Sequence, residues 1–313
     1  MKTKIVLNTH TFVRPYCLFT FRILPPPPAC TPSFYFPEIT RGIMYDLKFF
    51  LGIGLAIVLV FFAASLYTRF AGDTTLPVDR ETLYQVSTID ALMQGVFDGI
   101  QPVGELKSHG DFGIGTFDAL DGEMIVLDGI VYQAKADGRI YNAADRQTTP
   151  FATVTYFSRD FSNVTGNPMN FSAFSSTMTR GLPSQNMVYA VRMHGSFPWM
   201  KVRAIPAQQT PYPTLTEAAQ EQSVYTYTDT TGSVVGFYTP LFLEGLNVPG
   251  FHLHYLSDDR QSGGHILDFT LPKNTVIEYD ITPEFHMVLP TSGEFTGVDL
   301  SEDLTGELAK VER

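Results

Sequence analysis

Three histidines in the stretch GFHLHYLSDDRQSGGH carry the clearest chemical signal in the chain: His252, His254 and His265. Successive side chains of a β-strand point to opposite faces, so His252 and His254, two residues apart, share one face. The Ser-, Asp- and Gly-rich segment from Ser257 to Gly264 reads as a hairpin loop. The returning strand then begins at His265, close to opposite His254. Three imidazoles on one sheet face suit a metal ion with positions left open for a substrate. Zinc is the first choice, and iron, manganese, cobalt and copper stay open. Taken alone, His252 and His254 read equally well as two solvent-facing strand residues. The third histidine argues against that.

The elements that must hold these residues are mostly strands. MIVLDGIVYQAKADGRIYNA places Asp128-Gly129 and Asp137-Gly138 between alternating apolar runs, a hairpin signature. Further strand patterns lie at 152–157, 187–197, 200–205, 233–240, 251–256 and 265–271. One amphipathic helix is predicted after Ser87 as N-cap, with Asp90 in its first turn, Ile89, Leu92, Met93, Val96 and Phe97 on one face, and Gly99 at its end. Two more are predicted near 170–181 and 214–222. The fold class expected is α+β dominated by sheet: two mixed β-sheet modules with a few helices, at 80–195 and 196–313, the second holding the metal. His109 and His194 each precede a glycine and read as strand or turn ends, Tyr132 and Tyr156 as core or rim.

Composition separates this region from the N-terminus. The whole chain has a net charge of −11, yet residues 1–69 hold seven basic and two acidic side chains. The acidic remainder is a poor match for nucleic acid, because nothing offsets phosphate repulsion. Its lack of cysteine, with Cys17 and Cys30 both in the leader, excludes thiolate metal ligands, a disulfide framework and a cysteine nucleophile there. Residues 49–67 are 19 consecutive positions without a charge, near the roughly 20 needed to span a bilayer as a helix. Residues 44–70 are therefore expected to be a transmembrane anchor, with a cleaved signal segment as the rival. The protein would then be membrane-anchored by a single N-terminal helix, or exported after cleavage. Residues 1–43, with four prolines at 25–28, read as a disordered extension or as sequence ahead of a true start at Met44. Residues 70–80 read as a polar linker.

A longer set of blocks resembles one family. QVSTIDALMQGVFDGIQPVGELKSHGDFGIGTFDALDGEM at 85–124, TPFATVTYF at 149–157, KVRAIPAQQTPYPTL at 201–215 and GFHLHYLSDDRQSGGH at 250–265 are similar, in this order, to the α-acetolactate decarboxylases. The resemblance covers roughly three-quarters of the chain, from about residue 82 onward. It implies a zinc-dependent lyase that converts 2-acetolactate, a 2-hydroxy-3-keto acid, to acetoin and carbon dioxide through a metal-stabilised enediolate. It places the zinc ligands on His252, His254 and His265, catalytic residues on Glu123 and Arg203, and a pocket hydroxyl on Thr116. A further glutamate falls on Glu312, with Glu307 as runner-up. In that scheme Glu123 or the C-terminal glutamate protonates the carbon left by carbon dioxide, and Arg203 holds the carboxylate through its planar fork. A homodimer is the assembly left open.

Two other readings compete. A cupin-like metal oxygenase or isomerase uses His-x-His with a following acid, a part open to Asp258 or Asp259. It also needs a downstream block with another histidine, for which 272–295 offer only His286. A non-catalytic binding module stabilised by zinc is the second, opposed by the presence of Glu123 and Arg203. As bland alternatives, Glu123 after Asp121-Gly122 reads as an exposed turn acid, and Arg203 as a partner for a surface acid.

Overall fold

The computed structural model describes residues 42–70 and 78–312, the side chains of 42–48 and 66–70 excepted. The chain divides after Thr74 into two units. In the first, the described residues form one helix, Gly42–Phe70, with Phe49, Leu51, Phe61 and Phe62 exposed. Among the described residues no helix is long and apolar enough to cross a membrane. The expected anchor at 44–70 is therefore not supported. The expectations for the extension at 1–43, beyond Gly42 and Ile43, and for most of the linker lie outside the described residues.

The second unit is built on two seven-stranded sheets. In spatial order the first comprises Glu284–Val288, Thr82–Val86, Ala152–Thr155, Phe112–Thr116, Glu123–Leu127, Ile130–Ala134 and Ile140–Asn142. It is mixed, because Glu284–Val288 runs parallel to Thr82–Val86 while the other pairs are antiparallel. The second comprises Met169–Asn170, Gly263–Leu271, Gly250–Ser257, Ser223–Thr239, Tyr189–Ala204, Val276–Ile281 and Phe161–Val164, and is antiparallel throughout. Sheet-dominated α+β is therefore the architecture, but its division is not where the sequence suggests. Tyr189–Ala204 runs unbroken through residue 195. The chain changes sheet between Thr155 and Phe161, and Glu284–Val288 returns to the first sheet. Pro198 separates the strand patterns expected at 187–197 and 200–205, yet it is accommodated beside Asp229, with Phe197 paired to Thr230 and Trp199 to Thr228. A strand proline is tolerated where the ladder is already irregular.

Alternation along the strands decides what each sheet buries. Ile114, Ile125, Leu127 and Tyr132 of the first sheet pack with Val235, Phe237 and Leu256 of the second. The opposite face of the second sheet buries Leu253, Tyr255, Ile266 and Phe269 under Phe174 and Met178 of helix Phe171–Gly181. Each large apolar side chain buried in this way contributes roughly 1.5–3 kcal/mol. The Asp128-Gly129 turn is as expected for a two-residue hairpin, both residues having positive φ (51° and 77°).

The first helix departs from expectation. Thr88, not Ser87, is its N-cap, with Oγ1 accepting from Ala91 N–H, because Ser87 sits at φ 60° in the turn before it. The helix is only Ile89–Met93, and Gly95 at φ 85° turns the chain before Gly99. The five apolar residues expected on one face are all buried, the last two beyond the helix. Ile89, Leu92, Met93 and Phe97 join Leu120, Leu215, Leu308 and Val311 in an apolar cluster at one end of the sheet sandwich.

Candidate active site

The same alternation aims a polar set at that end. Glu123 has the parity of Ile125 and Leu127, and His252 and His254 have that of Leu256, so all three point between the sheets. Register completes the row: Arg203 pairs with His265, and His265 with His254. A bulge makes this possible. Lys201 pairs with Asp268 but Val202 pairs with Ile266, leaving Leu267 as the extra residue. Without it, Ile266 and Phe269 would not share one core, and Arg203 would stand opposite Ile266 in place of His265. Gly122, at φ 82°, turns the chain into Glu123 where a side chain would strike the carbonyl of Ala134.

The three imidazoles are buried, with ring centroids 5.0–5.3 Å apart. One ring nitrogen from each lies within 4.8 Å of the others. Met124 C=O accepts from His254 Nδ1 at 2.8 Å, which fixes the proton on Nδ1 and leaves Nε2 with a free lone pair. His265 Nδ1 and His252 Nε2 are 3.2 Å apart. His252 Nδ1, His254 Nε2 and His265 Nε2 have no hydrogen-bond partner among the described residues. Burial, reinforced by Arg203, pushes His252 down to about 3. Burial likewise holds His254 and His265 well below the usual histidine range. Neutral, buried imidazoles with unpartnered nitrogens are what a bound cation requires, so the donor set fits a metal ion. The geometry does not distinguish zinc from its neighbours.

Two carboxyls flank the histidines from different parts of the chain. Glu123 Oε2 lies 3.8 Å from His254 Nε2, and Glu312 Oε2 lies 3.5 Å from His252 Nε2 and 3.8 Å from His265 Nε2. Arg203 joins them: Nη1 donates to Glu123 Oε1 at 2.9 Å and Nη2 to Glu312 Oε1 at 3.4 Å. Burial raises Glu123 to about 7 against the pull of Arg203, with Glu312 adding to the rise. Burial also raises Glu312. One guanidinium between two buried carboxyls balances only one negative charge, which favours a proton on the other. Thr116 is buried at the cavity wall beside Glu123, its hydroxyl donating to Gly122 C=O.

The structure thus gathers His252, His254, His265, Glu123, Arg203, Glu312 and Thr116 around one cavity. The fork of Arg203 holds two glutamates. Glu307 is excluded: it sits on the outer face of helix Thr305–Val311 and pairs with Lys310. Glu123 is no turn acid, being 7% exposed. The other histidines lie elsewhere. His109 and His286 stack on Tyr84 of the first sheet, and His194 pairs with Asp258. That leaves His286 and Asp258 unable to complete a cupin-like site. Residue-by-residue reading missed the apolar side of the cavity, formed by Ile89, Leu92, Leu120, Phe151, Ile205 and Leu215. Helical spacing marks Ile89 and Leu92 as core but gives no sign that the core ends at a cavity.

Comparison with known proteins agrees with this geometry. A family model described as alpha-acetolactate decarboxylase matches residues 83–302. The alpha-acetolactate decarboxylase of Methanosarcina mazei is 48% identical over 74% of this chain and 81% of its own length. That of Methylococcus capsulatus is 41% identical over 80% and 96%. The crystal structure of the Bacillus subtilis alpha-acetolactate decarboxylase superposes with a TM-score of 0.71 at 32% identity, covering 74% of this chain and 98% of that one. Glu312 lies beyond the matched segment, so its place in the site comes from the fold.

Proposed function

This chain belongs to the α-acetolactate decarboxylase family and is a lyase that decarboxylates acetolactate; we propose that it does so with a zinc ion held by His252, His254 and His265. The observation that carries this reading is the set of three buried neutral imidazoles with unpartnered nitrogens, faced by two carboxyls that share one arginine. When bound, the metal supplies Lewis acidity for the oxygens next to the breaking bond.

The chain's own residues handle the proton. Loss of carbon dioxide breaks a carbon–carbon bond and leaves its electron pair on the substrate carbon, which must take up a proton to give acetoin. Glu123 and Glu312 flank the histidines from two directions, and the one that stays protonated is the acid for that step. Arg203 fixes both carboxyls in orientation, which a single-point cation such as lysine cannot do. Its charge also keeps the partner carboxylate ionised. The apolar wall excludes water, which strengthens these interactions. The substrate is a small 2-hydroxy-3-keto acid.

Elemental analysis of the purified full chain tests the choice of metal. About one zinc ion per chain is expected, as for a single set of three histidine ligands. A different transition metal at that ratio, which also restores turnover to stripped protein where zinc does not, contradicts the assignment.

A further inference from the structure

The cavity beside the histidines is small, about 30 Å³, and its two walls are unlike. Charged and imidazole groups form one. The other is the apolar wall already described, and Leu120 differs from the rest of that wall in its backbone. Leu120 and Ala119 are consecutive non-glycine residues in the left-handed region, at φ 61° and 58°. There the Cβ crowds the following carbonyl, and glycine is the residue of least strain.

Side-chain bonds hold the flanks of this loop, Gly99 N–H donating to Asp118 Oδ1 at 2.7 Å and the Thr116 hydroxyl to Gly122 C=O at 2.8 Å, and backbone bonds hold its middle. Ala119 N–H donates to Phe97 C=O at 2.9 Å, and Gln208 N–H to Ala119 C=O at 2.7 Å. Gly122 N–H is shared between the carbonyls of Leu120 at 2.8 Å and Ile205 at 3.0 Å. None of these bonds involves the Leu120 side chain, and a glycine at 120 would satisfy them all. A branched side chain kept where the backbone favours glycine, buried and facing the cavity, is kept for its volume. Strained residues persist where their surroundings over-determine them, and they gather at ligand sites.

We propose that Leu120 is a specificity-determining residue that limits the size of the alkyl groups the site accepts. The proposal rests on the decarboxylase reading above. Acetolactate carries its oxygens together and two methyl groups apart from them: one on the hydroxyl-bearing carbon, one on the ketone. With the oxygens at the histidines and carboxyls, the methyls meet the apolar wall, and Leu120 closes the space beyond them. One methylene in an apolar pocket is worth roughly 10–200-fold in discrimination, and truncating leucine frees more than that volume.

The test measures kcat/KM of the full-length enzyme on three racemic substrates. These are acetolactate, its homologue with ethyl in place of methyl on the hydroxyl-bearing carbon, and its homologue with propionyl in place of acetyl. In Leu120→Ala, and in Leu120→Gly where the backbone strain is also relieved, the ratio of at least one homologue to acetolactate rises roughly tenfold or more. Met93→Ala truncates the same apolar cluster away from the cavity and leaves both ratios within about twofold, since it alters packing without altering the wall. Unchanged ratios in both Leu120 variants overturn the proposal, as does an equal rise in Met93→Ala. A parent enzyme that turns over acetolactate while the ratios stay fixed defeats this proposal alone. A parent that releases no acetoin defeats the reading beneath it as well.

Discussion

Arg203 Nη1 lies 2.9 Å from Glu123 Oε1 in a fully buried pair whose members stand 80 residues apart and in different sheets. The second amine of the same guanidinium reaches Glu312 at the end of the last helix. One side chain thus joins three parts of the fold at the cavity, and its removal leaves two carboxyls facing each other without a cation.

Arg203→Met is expected to cost about 3–5 kcal/mol of stability, the usual result of breaking a buried charge pair from one side. Turnover should fall at least a hundredfold. Arg203→Lys should recover part of the stability but little of the activity, because one ammonium cannot address two carboxyls 109 and 80 residues away along the chain through parallel bonds. Urea unfolding and acetoin release check both. A stable, active methionine variant contradicts the bridging role.

The two C-terminal glutamates should behave differently. Glu312→Gln is expected to lower kcat by roughly 10²–10⁴, the span associated with loss of a general acid. Glu307→Gln, on the exposed face of the helix, should stay within about twofold of the parent. Steady-state kinetics on acetolactate decides. The opposite ranking would mean that the last helix is placed with the wrong face toward the site.

Asp280 gives a pH signature of stability separate from catalysis. It is buried on strand Val276–Ile281, where Ser158 N–H donates to Oδ2, and Asp160, Glu81 and Arg80 surround it. Burial raises its carboxyl to about 7, above the ordinary carboxylate range of the unfolded chain. Between those two values the folded state holds a proton the unfolded state has released, so stability falls as pH rises from about 4 through 7. Asp280→Asn keeps an oxygen for the Ser158 N–H and should flatten that slope. At pH 8 it should exceed the parent by about 1–2 kcal/mol. Urea midpoints across that range test this, and an unchanged slope contradicts it.

What could be read from the residues follows the distance over which a signal acts. His252 and His254 share a face by strand alternation, and the loop composition between Ser257 and Gly264 placed His265 directly opposite His254. The Asp128-Gly129 turn was legible for the same local reason. Arg203 was not legible without the family resemblance, because its place beside His265 depends on the Leu267 bulge and on pairing across more than 60 residues. The choice between Glu312 and Glu307 needed the helix face. The sheet boundary was misplaced because Pro198 divides two strand patterns in the sequence, while pairing on both sides keeps the strand continuous. The strained Ala119-Leu120 pair leaves no mark in composition or periodicity, since both residues are ordinary core formers.

The most direct test of the central claim measures metal content and acetoin release on the same samples of full-length enzyme, before chelation, after it, and after zinc is added back. Activity should fall in proportion to bound metal, return with about one equivalent of zinc, and be absent together with the metal in His254→Ala. Full acetoin release from a metal-free preparation would contradict the account.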